Sequence, residues 1–244
     1  MEQVKSFYET PSPAGLTGIK AWLLTHDHKR LALMYLWAVF FWLVLAVFLG
    51  MALRLELMFI GETIMPPEIY NAFFTLHGVI MIFLFVIPAI PAIFGNFFLP
   101  IQIGADDVFF PRLNLFSWYL YMFGGLLAVI SLFTGDGFAD TGWTFYVPFS
   151  VTTETNVSLT VTAAFILGMS SMLTGLNFVT TVHRMRVKGM GWLQIPLFTW
   201  SIYATAWVQI LATPVVSITL VLVVLERFLN IGLFDPAKGG DPLL

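Results

Sequence analysis

Five long apolar runs, separated by short polar segments, set the pattern of this chain. They lie near Leu31–Leu53, Asn71–Ile103, Leu113–Gly135, Val157–Val182 and Ile195–Leu225. Each is long enough to cross a bilayer, which takes roughly 20 residues in a helix. Backbone polar groups inside lipid must pair within their own segment, so helices are the expected spans. The second and fifth runs exceed the minimum and are expected to tilt or kink. Pro88 and Pro91 are the candidate kink points in the second, and Pro214 in the fifth. The predicted fold is therefore all-α, an integral membrane helix bundle. A polar segment (1–30) precedes a five-helix portion (31–226), and a tail (227–244) follows it.

Composition supports the same class. Of 244 residues, 59% are hydrophobic and 10% charged, against about 25% charged in a soluble domain. There are no cysteines, which excludes disulfides, thiolate metal sites and iron–sulfur clusters on these residues. The net charge of -3 argues against nucleic acid as a partner. Residues 1–30 lack the apolar core of a signal peptide.

Charge also orients the chain. With the N-terminus inside, the inner segments hold Lys5, Lys20, Lys29, Arg30, Arg112, Arg184, Arg186 and Lys188. The outer segments hold Arg54, Arg227 and Lys238, together making the 11 basic residues. This asymmetry predicts N-terminus inside and C-terminus outside.

Topology turns position into depth. His77 falls near the outer end of the second span, in a stretch without charge from Asn71 to Gly104. An ionisable group at membrane depth is costly and marks a functional candidate. Imidazole is a common axial ligand of haem iron; a neutral histidine bonded to a neighbouring helix is the other reading. His26, His28 and His183 all fall at the inner surface, so a second axial ligand is expected from another chain. Asn96 follows His77 by 19 positions, about 28 Å along an ideal helix. It therefore shares the inner depth with Asn114 and Asn177, beside the acidic pair Asp106 and Asp107. Ser170 lies two turns further in from Asn177 on the same face. These groups suit either a water-filled proton path with Asp107 at its mouth, or plain hydrogen bonding between helices. Arg54, at the outer end of the first span, reads as a snorkelling arginine or as a guanidinium for a cofactor carboxylate or carbonyl. Trp143 and Tyr146 occupy an outer loop, where aromatic belts are usual. The run HRMRVK (183–188) reads as a plain positive-inside loop.

Eight stretches together carry a resemblance: THDHKRLALMY, ALRLEL, EIYNAFFTLHGVIMIF, FGNFFLPIQIGADDVFFPRLNLFSW, GWTFYVPF, LGMSSMLTGLNFVTTV, QIPLFTWS and LFDPAKGGDPLL. In this order and spacing, from about residue 25 onward, the chain resembles the N-terminal half of subunit I of the haem–copper oxidases, a twelve-helix fold. The resemblance implies that His77 is one axial ligand of a low-spin haem, that Arg54 contacts a substituent of that haem, and that Trp143 and Tyr146 lie near its propionates and the binuclear centre. It implies Asp107 as the mouth of a proton pathway, Asn96, Asn114 and Asn177 as its constriction, and Ser170 and Ser171 as hydroxyls further along.

The same resemblance implies a cytochrome c oxidase. Electrons would pass from cytochrome c through low-spin haem to a high-spin haem–copper centre that reduces oxygen to water with proton pumping. Ile69 and Ala72 stand where quinol-oxidising members carry a histidine and a glutamine, which favours cytochrome c as donor. The family's copper histidines and high-spin haem ligand belong to helices beyond GGDPLL, so these residues alone are not expected to reduce oxygen. A split subunit, a truncated product and part of a longer chain all fit. The implied partners are the remaining half of subunit I, subunits II and III, cytochrome c and membrane lipid, in a bacterial plasma membrane rather than a mitochondrial one. A haem-free assembly scaffold and a nitric oxide reductase relative remain as alternatives.

Overall fold

The computed structural model describes residues 17–61, 64–134 and 139–243. Lys5, most of the N-terminal segment, Gly135 and the terminal Leu244 lie outside the described residues. Among the described residues five helices are long and apolar enough to cross a membrane: α1 (His28–Glu56), α2 (Pro67–Ile103), α3 (Pro111–Phe133), α4 (Val157–Arg184) and α5 (Leu197–Leu229). Among the described residues there is no strand.

Local chemistry sets the helix ends. The Asp27 side chain caps α1 by accepting from the Lys29 backbone N–H. Prolines open α2 and α3, where the missing N–H is not needed. Gly104, at φ 73°, and Asn230, at φ 53°, close α2 and α5 in the left-handed conformation.

The helices pack α3 against α4 and α4 against α5, with α1 lying on α2. Apolar side chains gain little from leaving lipid for protein, so tight packing has to hold the bundle. Gly175 shows this at the α4–α5 crossing: a β-carbon there would lie 2.9 Å from the Ala206 carbonyl oxygen. Trp42, Leu76, Ile80 and Leu84 form a buried core toward the His77 end of α2, and Leu99, Phe178, Val182 and Ile202 a second one toward the other end.

Helix α2 departs from the ideal. It is π-helical over Ile80–Val86 and again over Ala89–Gly95. The ideal-helix spacing between His77 and Asn96 therefore does not hold. The physical reason is proline: Pro88 and Pro91 cannot donate the bonds that an α-helix needs there. The carbonyl four residues before Pro88 is that of Leu84, and the buried Tyr121 hydroxyl of α3 donates to it at 2.6 Å. The carbonyl four before Pro100 is that of Asn96, and the buried His28 Nδ1 of α1 donates to it at 2.6 Å. Two prolines of one helix thus expose carbonyls that two other helices bind. Helix α5 instead continues through Pro214.

Removing one such tie should loosen α2 locally. Tyr121→Phe keeps the packing but deletes the donor to Leu84, at an expected cost of about 1 kcal/mol. Hydrogen–deuterium exchange should then quicken in peptides covering residues 80–95 and stay constant in α4. Unchanged exchange in that stretch would show that the bond does not hold the irregular turns.

Candidate functional site

At one end of the bundle, His77 projects from α2 onto a stripe of α1 made by Ala46, Gly50 and Arg54, spaced four apart. The imidazole Nδ1 meets the Ala46 carbonyl oxygen at 2.8 Å. A carbonyl only accepts, so Nδ1 carries the hydrogen, and in the neutral ring Nε2 keeps its lone pair. Among the described residues Nε2 has no hydrogen-bond partner. Gly50 makes room for the ring: a β-carbon there would stand 3.0 Å from Cε1 and 3.3 Å from Nδ1. A half-buried imidazole oriented through one nitrogen and open at the other is the arrangement of a metal-ligating histidine, whose other ring nitrogen is normally held by a carbonyl or carboxylate. The donor set present here therefore fits one axial position of a haem iron.

The neighbours are arranged around this ring. Arg54 is exposed one turn beyond Gly50 and makes no hydrogen bond or ion pair among the described residues. Trp143 covers Gly78, where a β-carbon would come within 2.7 Å of its Cδ1, and it meets Phe83 edge-on at 6.4 Å. Its loop is tied to α2 by the Gly142 backbone N–H, which donates to Thr75 Oγ1 at 2.9 Å. Tyr146 lies elsewhere. It is 77% exposed and lines a separate cavity of about 400 Å³ with Val223 of α5, Phe234 and Pro242.

At the opposite end of α2 a chain of buried polar groups begins. The Asn114 amide donates to Asn96 Oδ1 at 2.6 Å, and the Asn96 amide donates to the Ala92 carbonyl at 2.8 Å. Ser117, one turn after Asn114, donates to the Asn114 carbonyl and lies 3.0 Å from the Tyr35 hydroxyl. From α4, Thr174 Oγ1 reaches Ser117 Oγ at 3.3 Å, and Ser170 Oγ donates to the Ser117 carbonyl at 2.6 Å. Ser170, Ser171, Thr174 and Tyr35 then border a cavity of about 480 Å³ that Gln209 of α5 also lines. Two buried acceptors on this route, Asn114 Oδ1 and Gln209 Oε1, have no hydrogen-bond partner among the described residues. Ordered water is the usual partner for such atoms.

Asn177 joins the set by a different contact. Its side chain accepts from the Phe110 N–H at 2.9 Å and donates to the Phe110 carbonyl at 3.3 Å. The Asn114 backbone N–H bonds the same carbonyl. Asn177 therefore clamps the loop between α2 and α3, with Thr181 doing the same for Phe109. That loop carries Asp106, which is exposed, and Asp107, which is half-buried. Burial pushes the Asp107 carboxyl up from 3.8 to about 6, with Asp27 adding to the rise; bonds from the Val108 and His28 backbone N–H groups and the charge of Lys29 oppose it.

The sequence reading missed Gly50, Ser117, Tyr35 and Thr174. A periodic signal existed for one of them: Ser170, Thr174, Asn177 and Thr181 recur at helical spacing on one face of α4. Gly50 had a weaker one, as the middle of a stripe that ends on Arg54.

Comparison with known proteins gives the family. The family described as cytochrome c and quinol oxidase polypeptide I matches residues 30–244. The chain is 37% identical over 219 residues to cytochrome c oxidase subunit 1 of Thermostichus vulcanus, covering 89% of this chain and 39% of that protein. It is 38% identical over 222 residues to a probable cytochrome c oxidase subunit 1-alpha of Streptomyces coelicolor, covering 90% and 38%. It is 35% identical over 256 residues to cytochrome c oxidase subunit 1 of Cereibacter sphaeroides, covering 91% and 45%. The chain thus spans about four-tenths of the length of these relatives. Five apolar membrane helices and a family match across nearly the whole chain lead to one conclusion: it belongs to the cytochrome c and quinol oxidase polypeptide I family, with the membrane helical bundle of haem–copper oxidase subunit I.

Proposed function

We propose that these residues form the part of a cytochrome c oxidase catalytic subunit that holds one side of a low-spin haem and the inner proton-uptake path. The observation that carries this reading is the His77 ring, fixed through Nδ1 on the Ala46 carbonyl with the Nε2 lone pair left open among the described residues. When bound, the haem supplies one-electron chemistry. This chain's residues do the rest. Ala46 sets the tautomer of His77, Gly50 lets its ring approach α1, and Arg54 offers a guanidinium on the same stripe to a carboxylate or carbonyl of the macrocycle. Trp143 closes the neighbouring face.

His26, His28 and His183 are not near His77 in this arrangement: His28 is bound to Asn96 and His183 to Tyr203. The second axial imidazole, the high-spin haem and the copper ligands are therefore assigned to residues outside these 244. The proposed partners are that remaining portion of subunit I, subunits II and III, and cytochrome c as electron donor. The proposed setting is a bacterial plasma membrane, with the Asp107 end inside, which the distribution of basic residues supports.

Proton uptake is assigned to Asp107. A carboxyl with a value near 6 exchanges protons readily with water close to neutral pH. From there the route follows Asn96 and Asn114, then Ser117, Tyr35 and Thr174, to Ser170 and Ser171 at the cavity. Asn177 acts by positioning the Asp107 loop rather than by passing protons.

In the assembled complex, His77→Ala should abolish the visible band of the low-spin haem. Gly50→Val should shift or weaken that band with His77 intact, because the added side chain displaces the ring. A normal low-spin spectrum in folded His77→Ala would overturn the ligand assignment. Asp107→Asn should slow oxygen consumption by roughly a hundredfold and stop proton pumping in reconstituted vesicles, with the haem spectrum unchanged. Asp106→Asn should do far less. The raised value also has a direction: the Asp107 carboxyl keeps its proton above the ordinary carboxylate range and loses it as pH rises through about 6. Infrared difference spectra should show a protonated-carboxyl band that fades through that pH and is missing in Asp107→Asn. Equal turnover in the two aspartate variants would return both to a solvated acidic loop.

A further inference from the structure

The basic loop after α4 is more ordered than a topology signal requires. The guanidinium of Arg186 lies 3.8 Å over the ring of Trp192. Trp192 is in turn packed against Trp200, Tyr203 and His183, with ring centroids 5.8, 5.7 and 5.1 Å away. Hydrogen bonds fix this cage: the Trp200 indole N–H donates to the Trp192 carbonyl at 3.0 Å, and His183 Nε2 lies 2.9 Å from the Tyr203 hydroxyl. The loop itself is held to the end of α2 by the Val187 N–H on the Ile103 carbonyl. Stacking of this kind holds the flat face of an arginine and leaves its edge N–H groups to bind an oxyanion.

Arg186 shows an unmet need at that edge. Its Nη1 is buried and has no hydrogen-bond partner among the described residues. Arg184 and Lys188 flank it, and among the described residues none of the three has a carboxylate at ion-pair distance. The adjoining surface is apolar: Leu193 is 99% and Leu197 86% exposed, just before and at the start of α5. A cationic, planar donor beside unpartnered leucines at the membrane boundary complements a phosphate that carries acyl chains.

We propose that Arg186, stacked on Trp192 and flanked by Arg184 and Lys188, binds the headgroup phosphate of an anionic phospholipid in the leaflet at the Asp107 end, with Leu193 and Leu197 against its acyl chains. A free inorganic anion would gain nothing from the leucines. A basic pocket beside helix ends on the inner side is the setting in which such headgroups bind. The site is independent of the His77 assignment.

The test is native mass spectrometry of the complex purified in phosphatidylcholine nanodiscs doped with phosphatidylglycerol. The wild type should retain phosphatidylglycerol in preference to phosphatidylcholine through delipidation. Arg186→Gln should lower that retention by roughly fivefold. Trp192→Leu should lower it too, although no charge is lost, because the guanidinium is no longer held flat. Lys20→Gln, which removes an exposed cation of the same side, should leave it unchanged. Equal retention of the two lipids by the wild type would overturn the proposal, a result that needs no variant to fold. So would an equal loss in Lys20→Gln, which would mean general surface charge. Displacement of the lipid by inorganic phosphate alone would make this a site for a free anion and equally overturn the lipid assignment.

Discussion

A polar group at membrane depth has no bulk water to pair with, so it must find its partner in the protein. Most features of this bundle follow from that constraint. Prolines in α2 leave carbonyls without their helical donors. Tyr121 answers at Leu84 and His28 answers at Asn96, and these two bonds join α3 and α1 to α2. The imidazole of His77 obeys the same rule with its Nδ1 on Ala46. What it does not pair internally, the Nε2 lone pair, is then available for iron. The hydrogen bond uses one nitrogen of the ring and leaves the other open, so the two readings of the sequence, interhelical hydrogen bond and metal ligand, are compatible.

The polar groups at the other end divide along the same line. Asn177 spends both ends of its carboxamide on the backbone of Phe110, so its contribution is the shape of the loop that presents Asp107. Asn114 spends its amide on Asn96 and leaves Oδ1 unpaired, which suits contact with water. A row of asparagines at one depth therefore contains two kinds of contact, one that clamps a loop and one that joins two helices with an acceptor to spare. The raised value of Asp107 belongs to this arrangement, since the clamped loop holds the carboxyl half-buried against the start of α1.

The five apolar runs, their helical state, the orientation signal and the unusual position of His77 were all legible in the chain. They depend on segment length and on the energy of placing polar groups in lipid, which are local properties. The stripe of hydroxyls and amides on α4 was legible too, as a helical period. Gly50 was not singled out, because its place four residues before Arg54 gains meaning only when a ring is seen lying on it. HRMRVK read as a charge count, and its aromatic cage was invisible because Trp192 and Tyr203 lie beyond the loop in sequence and meet it only by packing.

By itself, then, the sequence determined the class of this protein, the number of its membrane helices, the family motifs and which residue types stand at each depth. Only the tertiary structure decided which nitrogen of His77 is committed, how far α2 departs from an ideal helix, that Asn177 clamps a loop while Asn96 and Asn114 touch, and that Tyr146 lines a cavity with Val223, Phe234 and Pro242. The reason is physical. Depth follows from counting residues along one helix, whereas a hydrogen-bond partner depends on the rotation and approach of two helices, which side-chain packing across the bundle sets.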